Sequence, residues 1–431
     1  MSDVPDGFKM TEIGILPDGW NCVELGSNIK QSRDKNKNDE PHKVYTVSNV
    51  YGMVLSDEFF DKKVYSRDTS TYKIIECGDF AYNPYRINVG SLGLFRENGK
   101  GLVSPAYVVF KVVDDKLYGE FLLNLLKSPS YASEISRYAM ARGSVRRSLA
   151  YKDLSMFLVP LPPLPEQKKI AAVLSTVQDA KEKTEAVIQA ARELKKSLMK
   201  HLFTYGPVSP KDAADVPLQE TEIGMVPDEW NVVKLGNLAE LITKGSSPKW
   251  QGFEYLSDGI VFVRSQNVGW GKLELMKTAY LSEEFNKKEK KSIIHRDDLL
   301  INIVGASIGR AAMANEFVEG GNLNQAVAIV RLMDSTVNAF IMTFLLFDAG
   351  QVQLHRQKKE IARANINLQD IGNLLVPLPT LPIQQQIADI LSAVDQKIEA
   401  EEGRRQALDE LFKTLLSNLM TGRPQEARLL Q

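Results

Sequence analysis

The chain has 431 residues, 44% of them hydrophobic and 25% charged. This excludes a disordered or low-complexity polypeptide and leaves apolar sequence for about two to four domains. Lys and Arg number 53 against 54 Asp and Glu, a formal net charge of -1, so there is no global cationic field and any nucleic acid must be held by local patches.

The opening MSDVPDGFKM has no apolar h-region, and nowhere do apolar residues run to the ~18 needed for a membrane span, so the cytoplasm is the expected compartment. Residues 11–26, TEIGILPDGWNCVELG, return as residues 221–236, TEIGMVPDEWNVVKLG, with 11 identities in 16. In each copy Pro-Asp reads as a turn, the following Trp20 or Trp230 as its anchor on a core, and the remainder as a short strand ending in Gly. Weaker echoes follow. Asn49-Val50 matches Asn267-Val268, GDFAYN ending at Asn83 matches DDLLIN ending at Asn302, and Gly90-Ser91-Leu92-Gly93 matches Ala306-Ser307-Ile308-Gly309. SPAYVVFKV from Ser104 and NQAVAIVRL from Asn324 have the Val, Ile, Tyr and Phe density of strands. Each precedes an apolar helical stretch, 121–126 and 340–346.

A second strong repeat begins with LVPLPPLPEQ at Leu158 and LVPLPTLPIQ at Leu375, with 13 identities over 20 residues. Prolines cannot sit inside a helix but are favoured at its first position, so a long helix is expected to start near Pro165 and again in the second copy. Steps of three and four then mark a heptad seam of Ile170, Val173, Val177, Ala180, Thr184, Val187, Ala191, Leu194 and Leu198. The second helix carries Ile387, Leu391, Val394, Ile398, Leu408, Phe412, Leu415 and Leu419, with a polar middle of Glu401, Glu402, Arg404 and Arg405. Two such helices can bury each other's seams. Residues 205–217, rich in Gly, Pro and Ala, read as the connection between the halves.

The pattern predicts a mixed α/β protein with an internal two-fold repeat: two similar globular domains at 1–160 and 207–378, and two coiled-coil helices at 161–206 and 379–431. Catalytic signatures do not accumulate. Cys22 and Cys77 have no metal-type spacing, and His42, His201, His295 and His355 fall in no ligand pattern, so no metal site is expected. Asn83-Pro84-Tyr85 resembles the Asn-Pro-Pro-Tyr signature of amino-group DNA methyltransferases, lacking its second proline and the glycine-rich turn that would hold S-adenosylmethionine. GLFRENGKG at 93–101 is one residue too long for a phosphate loop, and Asn98-Gly99 reads as a hairpin turn.

Binding chemistry does accumulate. Lys127, Arg137, Arg142, Arg146, Arg147 and Lys152 face only Glu134 between 127 and 152, and ARGSVRRS within that stretch offers forked arginine donors with Ser144 and a glycine for close phosphate approach. The corresponding stretch of the second half holds Arg356, Lys358, Lys359, Arg363 and Asn365. Amides and arginines suit base edges, and the loops after the GDFAYN and DDLLIN strands supply Asn83, Arg86, Asn88 and Ser91 in one half. In the other they supply Asn302, Ser307, Arg310, Asn324 and Gln325, joined by Lys244, Ser246 and Lys249. These are the candidate DNA-contacting residues.

The repeated opening phrase, the PLPPLPEQ and PLPTLPIQQ approaches to the helices, and the stretches NPYRINVGSLG and INIVGASIG resemble the specificity (S) subunits of type I restriction-modification enzymes over nearly the whole chain. That resemblance implies two target-recognition domains, each reading one half of a split double-stranded DNA target, and antiparallel helices acting as a spacer. It further implies two methylation (M) subunits docked on the helical region, restriction (R) subunits joining them, and no catalysis or cofactor in this chain. S-adenosylmethionine, ATP and Mg would belong to the partners. The polar middle of the second helix departs from a uniform seam and is a candidate contact for a methylation subunit. Two alternatives remain open on the residues alone: an amino methyltransferase built on Asn83-Pro84-Tyr85, and a coiled-coil scaffold.

Overall fold

The computed structural model describes residues 4–49, 52–60, 62, 64–141, 148–356 and 365–421, with the side chains of 139–141 left aside. The chain divides into two compact units, Met1–Glu185 with Gly403–Gln431, and Ala186–Glu402. This differs from the four consecutive segments expected, because each unit's core is completed by half of each long helix. In the first unit Ile170 and Leu174 share a core with Leu16, Trp20, Phe80 and Phe110, and also with Leu416, Leu419 and Met420 from the chain's far end. In the second, Met199, Leu202 and Phe203 join Ile387 and Leu391 around Trp230, Phe340 and Phe344.

The two repeated phrases turn out to be partners. Strand Asn21–Glu24 pairs antiparallel with Leu158–Leu161, placing Pro160 opposite Cys22, and Asn231–Lys234 pairs with Leu375–Leu378, placing Pro377 opposite Val232. Proline is tolerated because each is a two-stranded ribbon with open edges. The glycine that ends each opening phrase allows close approach. A Cβ on Gly26 would lie 2.8 Å from the Ser155 carbonyl oxygen, and one on Gly236 3.0 Å from that of Gly372. Trp20 and Trp230 are each 2% exposed, as anchors.

Each unit then builds an antiparallel four-stranded sheet in the same order. In the first unit it is Ile29–Ser32, Val108–Val112, Asp79–Tyr82 and Leu92–Leu94; in the second, Ala239–Lys244, Val327–Leu332, Leu299–Asn302 and Ala311–Met313. A further sheet in each contains one parallel pair, Val44–Ser48 with Lys100–Val103 and Ile260–Val263 with Asn322–Leu323. The repeated Asp at the start of each central strand ties down the backbone of the turn that leads into it. Buried Asp79 accepts the Glu76 N–H at 2.8 Å, and buried Asp298 accepts that of His295 at 2.7 Å while holding Arg331. Asn98-Gly99 is not a hairpin. Gly99 has φ +96°, but strands Leu92–Leu94 and Lys100–Val103 lie in different sheets, so the chain crosses between sheets there.

The long helices span Leu164–Tyr205 and Leu381–Thr421, 42 and 41 residues. Their N-termini are locked by the glutamine of each proline motif. Buried Gln167 accepts the Tyr118 N–H at 2.8 Å and donates to the carbonyls of Lys116 and Pro162, and Gln384 donates to that of Pro379 at 2.7 Å. Of the residues expected in the first seam, Ile170, Val177 and Thr184 are buried and Ala180, Ala191 and Leu198 half-buried. Val173, Val187 and Leu194 are exposed, a correction: the buried face passes one residue later, through Leu174, Lys181, Ile188 and Lys195. In the second helix Ile387 and Leu391 are buried and Val394, Ile398, Leu408, Phe412 and Leu415 half-buried.

The charges at these positions are paired across the helices. In the first unit Lys181 meets Asp409 at 2.6 Å and lies over the Phe412 ring at 4.9 Å, while Glu185 meets Arg405 at 2.9 Å. In the second Arg192 meets Glu402 and Lys195 meets Asp395, each at 2.6 Å. Numbers rise along one helix as they fall along the other, so the pairing is antiparallel within each unit. The polar middle of the second helix is therefore partly occupied inside the chain. Burial opposes the charge of Glu402, yet Arg192 and Lys272 hold its carboxyl below the ordinary value.

Losing a buried hydrogen-bonding group costs about 1–3 kcal/mol. Gln167→Ala, which strips three bonds from the first helix start, should therefore lower the melting temperature of the chain by several degrees, and Gln384→Ala by less. Unchanged thermal unfolding of Gln167→Ala would contradict the lock.

Candidate nucleic-acid interface

The strand registers decide which loops meet. In the first unit Tyr82 lies beside Val108 and Leu92, and Ser32 beside Val109, so the stretches 33–43, 83–91 and 104–107 all leave the same end of the sheet. In the second, Lys244 lies beside Ala328 and Asn302 beside Val327, with Ile301 beside Ala311. The stretches 245–259, 303–310 and 324–326 thus share the corresponding end.

The chain beyond each basic stretch is fastened to these loops. Leu149 donates its N–H to the Pro84 carbonyl at 3.0 Å and accepts the Tyr82 hydroxyl at 3.2 Å. Ile366 donates to the Ile303 carbonyl at 2.9 Å, and Asn365 bridges to Val304. Arg142, Ser144, Arg146 and Arg147 of the first basic stretch, and Lys358, Lys359 and Arg363 of the second, lie outside the described residues. Leu149 and Asn365, the nearest residues beyond these stretches with contacts to the loops, are described.

Among the predicted contact residues, Arg86, Lys244, Lys249, Gln325 and Asn365 are exposed, and Asn88 and Arg310 half-buried. Others are committed to the fold. Ser91 is buried, donating to the Val47 carbonyl at 3.0 Å. Asn302 is fully buried, its amide donating to the carbonyls of Ser265 and Val268 at 2.8 and 3.3 Å, so it cannot reach a base edge. Both are corrections with one cause: a polar side chain at a strand end was needed to satisfy a neighbouring loop's backbone. Asn83 and Asn324 each use their side-chain oxygen to accept the N–H of Tyr85 and Ala326, turn roles that leave their amide donors and one oxygen lone pair for a ligand. Ser307 donates to the Val304 carbonyl and Ser246 accepts from Gln251. The Asn83-Pro84-Tyr85 turn thus employs its asparagine on its own backbone.

The sequence pattern did not reveal a cationic cluster in the first unit. Arg33, Lys35 and Lys37 are exposed on the loop after Ser32, and Lys35 bridges to Lys73, which donates to the Tyr107 carbonyl. Burial, with the charges of Lys35 and Arg33 added, holds the Lys73 ammonium below lysine's usual value. Arg33 and Lys35 thus raise the positive potential at Lys73, while Asp34, Asp39 and Glu40 offset it along the loop. The alternation of Arg33, Lys35 and Lys37 was the available signal, but Lys73 comes from a strand well further along the chain. No helix among the described residues is by itself long and apolar enough to cross a membrane.

Comparison with known proteins identifies the family and the fold. The chain matches the type I restriction modification DNA specificity domain twice, over residues 17–191 and 227–410. It is 25% identical over 436 residues to the type I restriction enzyme MjaVIII specificity subunit of Methanocaldococcus jannaschii, covering 97% of this chain and 96% of that protein. It is 28% identical over 382 residues to the EcoBI specificity subunit of Escherichia coli, covering 84% and 78%. The fold is shared with the S subunit of a type I restriction-modification system from M. genitalium, with a TM-score of 0.59 at 16% identity over 93% of this chain and 96% of that one. It is shared also with a chain solved in a study of type I R-M complex assembly, with a TM-score of 0.55 at 18% identity over 94% and 99%. With both halves of its repeat matched, the chain belongs to the type I restriction-modification DNA specificity family.

Proposed function

We propose that this chain supplies DNA sequence specificity to a type I restriction-modification complex in the cytoplasm, each unit reading one half of a bipartite double-stranded target. One observation carries the reading: in both units the exposed cationic and amide side chains leave the same end of equivalent sheets, where the chain emerging from a basic stretch is fastened. Phosphate contacts from the basic stretches position the duplex, and Arg86, Arg310 and Gln325 are the base-edge candidates. The paired helices set the gap and dock two methylation subunits. S-adenosylmethionine, ATP and Mg serve those subunits and the restriction subunits; this chain contributes no catalytic group.

Neutralised phosphates release counterions, so binding by the assembled complex should fall steeply with salt. Reversal of Arg142, Arg146 and Arg147 to Glu should weaken binding and flatten the salt dependence; wild-type binding and methylation at ~150 mM salt would place that stretch away from DNA. Arg310→Ala or Gln325→Ala should relax the half-site read by the second unit, since a good bidentate base contact carries about 1–3 kcal/mol of discrimination. Asn302→Ala should instead lower thermal stability.

The helices as a ruler are tested by length. Seven residues inserted after Val187 and seven after Arg404 lengthen the pair by about 10 Å while keeping the seam in phase. At ~3.4 Å per base pair, methylation sequencing should find the same half-sites with a gap wider by up to about three base pairs, or no methylation if DNA twist carries the far half-site out of reach. An active complex with an unaltered gap would contradict the ruler. Insertion into one helix alone should abolish activity.

A further inference from the structure

Trp250 is 88% exposed, on the stretch that leaves the second unit's sheet after Lys244. A hydrated indole forgoes the stabilisation of apolar burial, so its surroundings matter. They are rigid. Lys249–Gln251 form a 3-10 turn closed by Gly252 at φ +82°, and the Pro248 carbonyl accepts the N–H groups of Gln251 and Phe253 at 2.9 and 3.0 Å. The Gln251 amide is clamped between Ser246 Oγ at 2.9 Å and Glu289 Oε1 at 2.6 Å. Gly245 presses so closely on the Leu323 carbonyl that a Cβ would lie 1.6 Å from the oxygen, which ties the stretch to Leu323 and Asn324. The other tryptophans differ: Trp20 and Trp230 are buried, and Trp270 is 56% exposed.

We infer that Trp250 is a DNA-contacting wedge, its indole face stacking on a nucleobase at a base-pair step of the half-site read by the second unit. The inference rests on the proposal that this loop end faces DNA and adds what one residue does there. Three features favour it: an apolar ring held out on a preorganised turn, exposed Lys244 and Lys249 beside it in sequence as phosphate donors, and Asn324 and Gln325 leaving the same end of the sheet. Aromatic wedges unstack and kink a duplex, and the energy recovered comes from stacking on the ring and from added backbone contact. The corresponding loop of the first unit has Arg33, Lys35 and Lys37 but no Phe, Tyr or Trp between 33 and 43, so it offers no equivalent of Trp250.

The test uses the assembled complex and duplexes carrying 2-aminopurine at successive positions of both half-sites. Wild type should raise 2-aminopurine fluorescence or shift its lifetime at one step of one half-site, and Trp250→Ala should remove that signal and weaken binding by roughly 5- to 100-fold. Trp250→Phe should retain most of both. If every signal seen with wild type persists equally in Trp250→Ala, the wedge is overturned; a target base flipped by the methylation subunits would signal in both and is set aside by that comparison. Lys244→Glu with Lys249→Glu separates the two levels: if this double variant binds like wild type, the loop end does not face DNA. If it binds weakly while Trp250→Ala is indistinguishable from wild type, only the wedge fails.

Discussion

The core of each unit is closed by residues from both long helices. The first unit's core is closed by Leu416, Leu419 and Met420, delivered by the second helix, and the second's by Met199, Leu202 and Phe203, delivered by the first. Burying a large apolar side chain is worth about 1.5–3 kcal/mol, so a helix end that left its unit would expose several such residues together. Each long helix is therefore part of both cores. The strand pairs Asn21–Glu24 with Leu158–Leu161 and Asn231–Lys234 with Leu375–Leu378 add a second closure.

Where the helix ends use apolar closure, the helix middles use charge. Lys181 and Lys195 occupy half-buried positions on the paired face with Asp409 and Asp395 opposite. Ion pairs of this exposure add little stability by themselves. Their role is to let lysines stand on the paired face by giving each ammonium a carboxylate partner.

Much of this was legible in the sequence because duplication tests each reading twice. The opening phrases, the proline-marked helix starts, the strands at Val108–Val112 and Val327–Leu332 and the buried tryptophans all follow from residue patterns. The seam of the first helix was read half out of phase. Val173 precedes Leu174 and Val187 precedes Ile188, so two stripes compete, and the stripe that is buried runs through Lys181 and Lys195, which hydrophobicity alone rejects. Only the carboxylates of the facing helix make those lysines acceptable. Asn302 shows the other limit: its type and place fit a base reader, but Ser265 and Val268, far earlier in the chain, take its donors. The Arg33, Lys35 and Lys73 cluster likewise exists only once a loop and a distant strand meet.

The central claim is that each unit reads one half of a split target independently of the other. It is tested most directly by exchanging residues 28–152 for the corresponding region of another family member and mapping methylation across the genome of the host strain. The expected map keeps one half-site and the gap and replaces the other half-site with that of the donor. A motif unchanged by the exchange, or one altered in both halves, would contradict the division of reading between the two units.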